Sequence, residues 1–380
     1  MFYRSKCCDG VNTHTLSAED YPKINKATIE TLLKKIHSKT PVDKKQLLNE
    51  TKSIFSGAVT KGYTKTLNKV AFNSPDFIML NELHYNVGVF AAFKNHDQIT
   101  ELVKLLKDNE GKLRAWSEFK TAALKLNEKY NTRWLKVEYD QALTSARAAR
   151  RWQDFQRTKH IYPNLEYIAI NDDRTRALHK KWHGIVLPID HVFWRTHYTP
   201  NDYGCRCIVR RTSKPVNTKG YNVEDMPNLP PQFNQNVGLT GKVYSNEHPY
   251  YKTTNYKQVA TFAKNALVRW QTQTYFKQLK NTFKRPIKTQ IGKVTILNKG
   301  IKEALSQPHK NAYLKNNLLL KLDDILNKAY YIKSSYPKRL TDYYKKYHYL
   351  RIENFNDMVI VLREDPKGKL FFYSIVDQIK

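Results

Sequence analysis

The stretch from Asp172 to Cys207, DDRTRALHKKWHGIVLPIDHVFWRTHYTPNDYGCRC, constrains this chain more than any other part of it. It gathers His179, His183, His197, Cys205 and Cys207 into one short span, with Trp194 as an apolar anchor and Pro200-Asn201 as a turn. Cys205 and Cys207 stand two apart, so an extended segment puts both thiols on one face, because strand side chains alternate. His179 falls on a short predicted helix, and His197 precedes the turn that delivers the cysteines. A tetrahedral Zn²⁺ takes four N/S ligands, and His179, His197, Cys205 and Cys207 supply that number. His183 lies one helical turn after His179 and substitutes for either histidine. The spacing is not a common finger pattern. The competing reading makes the cysteines small buried apolar residues and the histidines local hydrogen-bonding groups.

The same residues resemble the signature of the phage Mu protein F-like head morphogenesis family. There an Asp/Arg/His run leads to an FW-T-H-Y-P-N segment and then to C-R-C. The matching positions are Asp173, Arg174, Thr175, Arg176, His179, Gly184, Asp190, Phe193, Trp194, His197, Tyr198, Pro200, Asn201, Cys205, Arg206 and Cys207. The helix-like Glu138–Phe155 resembles the segment that precedes the signature, and Gly241–Tyr251 resembles the closing His-Pro-Tyr. Tyr203 stands where relatives often carry Trp, and Thr199 where Pro is frequent. The resemblance covers residues 50–256. It implies a minor head protein, made in the bacterial host cytoplasm and built into the virion. Its partners would be portal or capsid proteins and packaged DNA.

Charge points the same way. Lys and Arg number 65 against 34 Asp and Glu, a formal net charge of +31, and such an excess predicts a polyphosphate partner. Binding to DNA or RNA is then largely independent of sequence and weakened by salt. A hydrophobic fraction of 41% excludes a compositionally disordered chain. There is no run of about 18 apolar residues and no basic amphipathic segment with a broad apolar face, so no membrane partner is expected. The first residues lack the apolar core of a secretory signal. The two cysteine pairs, Cys7-Cys8 and Cys205-x-Cys207, form no ordinary disulfide framework, which suits a reducing cytoplasm. Cys7 and Cys8 receive no role.

In chain order, residues 1–20 predict an N-terminal arm. Helices follow over about 24–36, 44–56, two segments within 76–108, 115–130 and 133–158. Arg147, Arg150 and Arg151 decorate the last of these, either as a solvated face or as an edge that tracks phosphates. Leu165–Ile170 and the segment after Cys207 read as strands, and 214–240 as a long ordered loop. A helix over 256–282 leads to a linker at 284–289. The predicted division is an arm at 1–20, a head domain at 21–256, a connecting helix and linker at 257–289 and a second domain at 290–380. From Gln290 the order β-α-α-β-β-β-β, with Asp365-Pro366-Lys367-Gly368 as a hairpin turn, predicts a small antiparallel sheet with helices. The fold class is α+β: a mainly helical first domain with a small Cys/His-containing β region, then a small α+β domain with an antiparallel sheet.

This second domain resembles the phage barnase–EndoU–colicin–RelE-like nuclease domains, through its order of elements and its strand-GIK-x-Ser-x-x-His opening. The resemblance implies metal-independent RNA cleavage with no catalytic cofactor, and an immunity protein as a further partner. Cleavage of that kind needs a base for the 2′-OH, an acid for the leaving oxygen and a cation for the phosphorane. His309 suits proton transfer, Lys302 and Arg351 suit phosphate binding, and Ser306 belongs to the opening motif. His348, Tyr373 and Ser374 are the candidates for the second proton transfer or for orientation. An inactive, nucleic-acid-binding tail is the alternative.

Overall fold

A computed structural model describes residues 21–222, 227, 229–337, 339 and 341–379. The predicted arm, with Cys7 and Cys8, lies outside them. The chain divides into two compact units, residues 1–65 with 82–263 and residues 66–81 with 264–380. The division at 263/264 falls inside the segment expected to connect the domains.

The first unit begins with α1 (Lys26–His37), α2 (Lys44–Tyr63) and α3 (Pro75–Lys104), the last entering this unit at Glu82. Asn25 and Asp43 cap α1 and α2 by accepting from Ala27 N–H and Lys45 N–H, and Pro75 occupies the first position of α3, where no N–H is needed. The sequence suggested two segments over 76–108, but α3 is one helix of 30 residues. Similarly, α4 (Trp116–Glu128) and α5 (Leu135–Thr158) meet without a gap, because Lys129–Trp134 forms a π-helical turn between them. The helices α2 and α5 approach so closely at Gly62 that a Cβ there would lie 2.2 Å from the Leu143 carbonyl oxygen.

After α5 come β1 (Asn164–Ile168), α6 (Ala177–Lys181), β2 (Val186–Pro188), α7 (Phe193–Thr196), β3 (Ile208–Thr212), α8 (Val237–Thr240) and the start of α9 (Tyr256–Leu279). The three strands make an antiparallel sheet in the order β2-β1-β3. The closing segment returns to the helices. Tyr244 stacks on Phe90 with ring centroids 3.5 Å apart, and its hydroxyl donates to the Glu138 carbonyl at 2.6 Å. Tyr250 donates to the Glu138 carboxylate at 3.1 Å, and that carboxylate forms a fully buried ion pair of 2.8 Å with Lys94.

The second unit holds β4 (Ile287–Thr289), β5 (Gly292–Thr295), α10 (Asn298–Ser306), α11 (Ala312–Leu318), α12 (Leu322–Lys328), β6 (Tyr330–Ser335), β7 (Lys346–Ile352), β8 (Phe355–Glu364) and β9 (Leu370–Val376). One sheet runs in the order β4-β5-β9-β8-β7-β6. Two features depart from the sequence expectation. The expected linker contains β4, which forms a hairpin with β5. The sheet is also not wholly antiparallel, because β5 pairs parallel with β9. A tight turn cannot join parallel neighbours, and here α10 to α12 and then β6 to β8 all lie between β5 and β9 along the chain. Residues 66–81 join this unit through Phe72 against Phe355, Asn73 donating to Glu353 at 3.0 Å and Asn317 donating to Asn81 at 2.7 Å.

Candidate metal centre

Just before β3, Cys205 and Cys207 are buried with both thiols toward His179, while Arg206 between them is half-buried. Arg206 meets Asp172 in a bidentate pair, with one hydrogen bond of 2.7 Å. That pair holds the Asp172 carboxyl well below the usual carboxylate range. A second clamp joins Arg176 at the start of α6 to Asp202 at 2.7 Å. Together they fix α6 against the turn that carries the cysteines. His179, buried on α6, lies parallel to Trp182 with ring centroids 5.3 Å apart. Its Nδ1 is 3.8 Å from the Sγ of Cys205 and 3.8 Å from the Sγ of Cys207.

These three ligand atoms all lie within 4.8 Å of one another. Tetrahedral zinc, with Zn–S near 2.3 Å and Zn–N near 2.0 Å, separates its ligand atoms by about 3.5–3.8 Å. The side chains therefore fit a metal of zinc's size with small adjustments. The thiols are chemically suited as well. Cys207 is pushed down, chiefly by its hydrogen bond with Cys205 and further by His179 and Tyr167, while Cys205 is pushed up by the same sharing and by burial. One proton thus leaves the pair readily, which is the thiolate character a soft cation requires. Asn201, fully buried, donates to the Tyr167 hydroxyl at 3.1 Å and so steadies the wall beside Cys207.

The structure places His197 beside this group rather than in it. Its Nδ1 is 2.8 Å from Thr196 Oγ1, its Nε2 is 3.2 Å from the Pro227 carbonyl, and its ring stacks on Phe193. His183 accepts from Ala169 N–H through Nδ1 and lies outside the group too. The surrounding motif residues are structural. The Trp194 indole donates to Pro188 O at 3.0 Å, and the Tyr198 hydroxyl to Ala148 O at 2.9 Å. Tyr203 bonds His248 at 2.9 Å and so ties the turn to the His-Pro-Tyr segment. No spacing rule reveals that pair. The shared side of the two thiols, by contrast, is what period-two alternation predicts.

In the second unit the nuclease candidates do not converge. Lys302 and Ser306 are exposed on α10. His309 is buried beyond that helix, accepts from Asn311 N–H at 2.9 Å and is acted on by Asp377 and Asp357; burial lowers its pKa. His348 on β7 bonds Glu364 at 2.7 Å. Asp357 and Glu364 are seven steps apart on β8, about 23 Å at about 3.3 Å per residue. The two histidines therefore sit at opposite ends of that strand. Arg351 pairs in register with Val359, toward the His309 end. Tyr373 donates to Glu303 at 3.1 Å, and Ser374 is fully buried, donating to Ile375 O at 3.4 Å.

Fold and site together define a basic, two-unit α+β protein whose first unit is closed by a buried His/Cys group. The comparisons give that description a relative. Residues 91–210, which contain the whole group, match the family described as Phage Mu protein F like protein. Residues 263–373 match a different description, Large polyvalent protein-associated domain 3, rather than a nuclease domain. The chain is similar to "Putative capsid assembly protein F" of Escherichia phage Mu, 40% identical over 81 residues, 21% of this chain and 18% of that protein. It is also similar to the "Mu-like prophage FluMu F protein" of Haemophilus influenzae, 39% identical over 82 residues, 21% of this chain and 20% of that protein. The matches thus span about a fifth of the length of these curated relatives. No solved structure matches the chain. Among the described residues, no helix is long and apolar enough to cross a membrane.

Proposed function

We propose that this chain is a minor head protein of a phage or prophage, acting in head morphogenesis beside portal or capsid proteins. We further propose that a structural Zn²⁺ held by His179, Cys205 and Cys207 closes its Mu F-like region. The observation that carries this reading is a coincidence of place: the buried ligand group lies inside the segment that resembles a capsid assembly protein. Any fourth ligand would have to come from outside this group, since both ring nitrogens of His197 face other partners. Bound zinc would cross-link α6 to the segment leading into β3 and make part of the binding free energy folding free energy.

For the tail we propose a role in contacting packaged nucleic acid without cutting it. The separation of His309 from His348 along β8 supports this over an RNase, in which acid and base must both reach one phosphate. A tagged copy should co-purify with assembled heads, and metal analysis should find one zinc per chain. Cys205→Ser with Cys207→Ser should lose the metal and lower the melting temperature. A metal-free parent that melts like the double variant sinks the zinc reading, and a copy absent from heads sinks the morphogenesis reading. Incubation of the full chain with tRNA in EDTA should leave the RNA intact. Products ending in a 2′,3′-cyclic phosphate, lost in His309→Ala, would restore the enzyme reading.

A further inference from the structure

Arg363 on β8 is held unlike any other cation in the second unit described here. Its guanidinium carbon lies 3.2 Å from the ring centroid of Tyr373, 5.1 Å from that of Tyr344 and 5.4 Å from that of Tyr347. Among the described residues no carboxylate forms a salt bridge with it, and its Nε is buried without a hydrogen-bond partner. Asp342, the acidic group nearest in effect, is already engaged by the Tyr347 hydroxyl at 2.6 Å and by Tyr344 N–H at 3.0 Å. A partly buried charge without a counter-ion is unfavourable unless something completes it. Its carbon lies over these rings and it hydrogen-bonds the Tyr373 side chain, and the rest of its N–H edge has the geometry that suits phosphate oxygens.

That edge has somewhere to point. A cavity of about 250 Å³ is lined by Leu297, Lys299, Glu303, Tyr344, Arg363 and Tyr373, among others. Lys299 is exposed in the first turn of α10, and no side chain caps that turn, so the helix adds its positive end to the two cations. Tyr344, half-buried and edge-on to Phe371 at 6.3 Å, supplies an aromatic wall of the kind on which bases stack. Glu303 accepts from Tyr373 and is the one carboxylate lining the space, placed to accept a further hydroxyl.

We propose that this cavity binds one nucleotide, its phosphate on Arg363 and Lys299 and its base against Tyr344. The nucleotide is either free or a residue of a single strand. The proposal deepens the nucleic-acid-contacting reading of the tail and is independent of the metal centre.

The test titrates the full chain, at physiological salt, with AMP, with inorganic phosphate and with a labelled single-stranded oligonucleotide. Three substitutions are compared: Lys299→Glu, Arg363→Met and the control Lys257→Glu, which makes the same charge change at an exposed position of α9. AMP should bind at one site, more tightly than phosphate. Its affinity should fall about tenfold or more in Lys299→Glu and Arg363→Met, as expected for loss of a charge-assisted contact, and stay unchanged in the control. A single strand that binds tighter than AMP, with the excess lost in Arg363→Met, assigns the site to nucleic acid. Equal affinity assigns it to free nucleotide. Phosphate binding as well as AMP overturns the nucleotide assignment, and indifference of AMP binding to both site substitutions overturns the site. Should Arg363→Met not fold, exposed Lys299→Glu decides alone. Salt-sensitive DNA binding that survives when AMP binding is absent would remove this proposal while leaving the broader reading of the tail in place.

Discussion

The ion pair between Lys94 and Glu138 offers the sharpest test of how the first unit is held together. Both side chains are fully buried, Nζ and Oε2 are 2.8 Å apart, and Lys94 also donates to the Tyr130 carbonyl at 2.7 Å. At an effective dielectric near 20 the attraction is about 6 kcal/mol, most of it offset by removing two ions from water. Glu138→Leu keeps the volume but strands the ammonium, which should destabilise the unit by about 3–5 kcal/mol. Lys94→Met removes the cation from beside the carboxylate, to which Tyr250 still donates, and should act similarly. The double variant leaves no buried charge and should lie within about 2 kcal/mol of the parent. There is also a pH signature. Burial already lowers the Lys94 pKa, and Glu138 is the first group opposing that shift. Without Glu138 the folded form releases its proton while the unfolded lysine keeps it up to about 10.4. Stability of Glu138→Leu should therefore rise with pH across the alkaline range, relative to the parent. Urea melts followed by tryptophan fluorescence report on this unit, because Trp116, Trp134, Trp152, Trp182 and Trp194 lie in it and only Trp270 lies outside. A double variant as unstable as the sum of the singles would refute the reasoning.

Three further outcomes follow from the same geometry. Burial lowers the His248 pKa to about 3, so between the unfolded value and about 3 only the unfolded state takes up its proton; stability should drop by roughly 1.4 kcal/mol per pH unit below about 6.5, and His248→Asn should flatten that slope in urea melts at two pH values. Gly62→Ala forces a Cβ onto the Leu143 carbonyl and should lower the urea midpoint by the equivalent of about 1–3 kcal/mol; an unchanged midpoint would mean that α2 and α5 can part there without loss. Affinity for DNA should fall by orders of magnitude between about 50 and 200 mM salt, and a flat response by filter binding would count against phosphate contact as the source of affinity.

The local features of this protein were legible in its sequence because their causes are local. The Asp365–Gly368 turn, for one, sets the β8-β9 hairpin through its own chemistry. The two-residue spacing of Cys205 and Cys207 likewise predicts that both thiols face one way, and His179 lies on the short helix expected there. What depended on distant partners was decided by the tertiary structure. His197 is close in sequence to the cysteines, yet its ring turns to Pro227 and Phe193 because a buried polar ring takes the partners its surroundings offer, not only those that suit a metal. Lys94 finds Glu138 across a long separation, and residues 66–81 join the unit built mainly from 264–380. The parallel pairing of β5 with β9 likewise joins strands separated by three helices and three other strands. Periodicity reports which face of an element is buried, while the identity of what it is buried against emerges only when elements meet and their side chains compete for the same space.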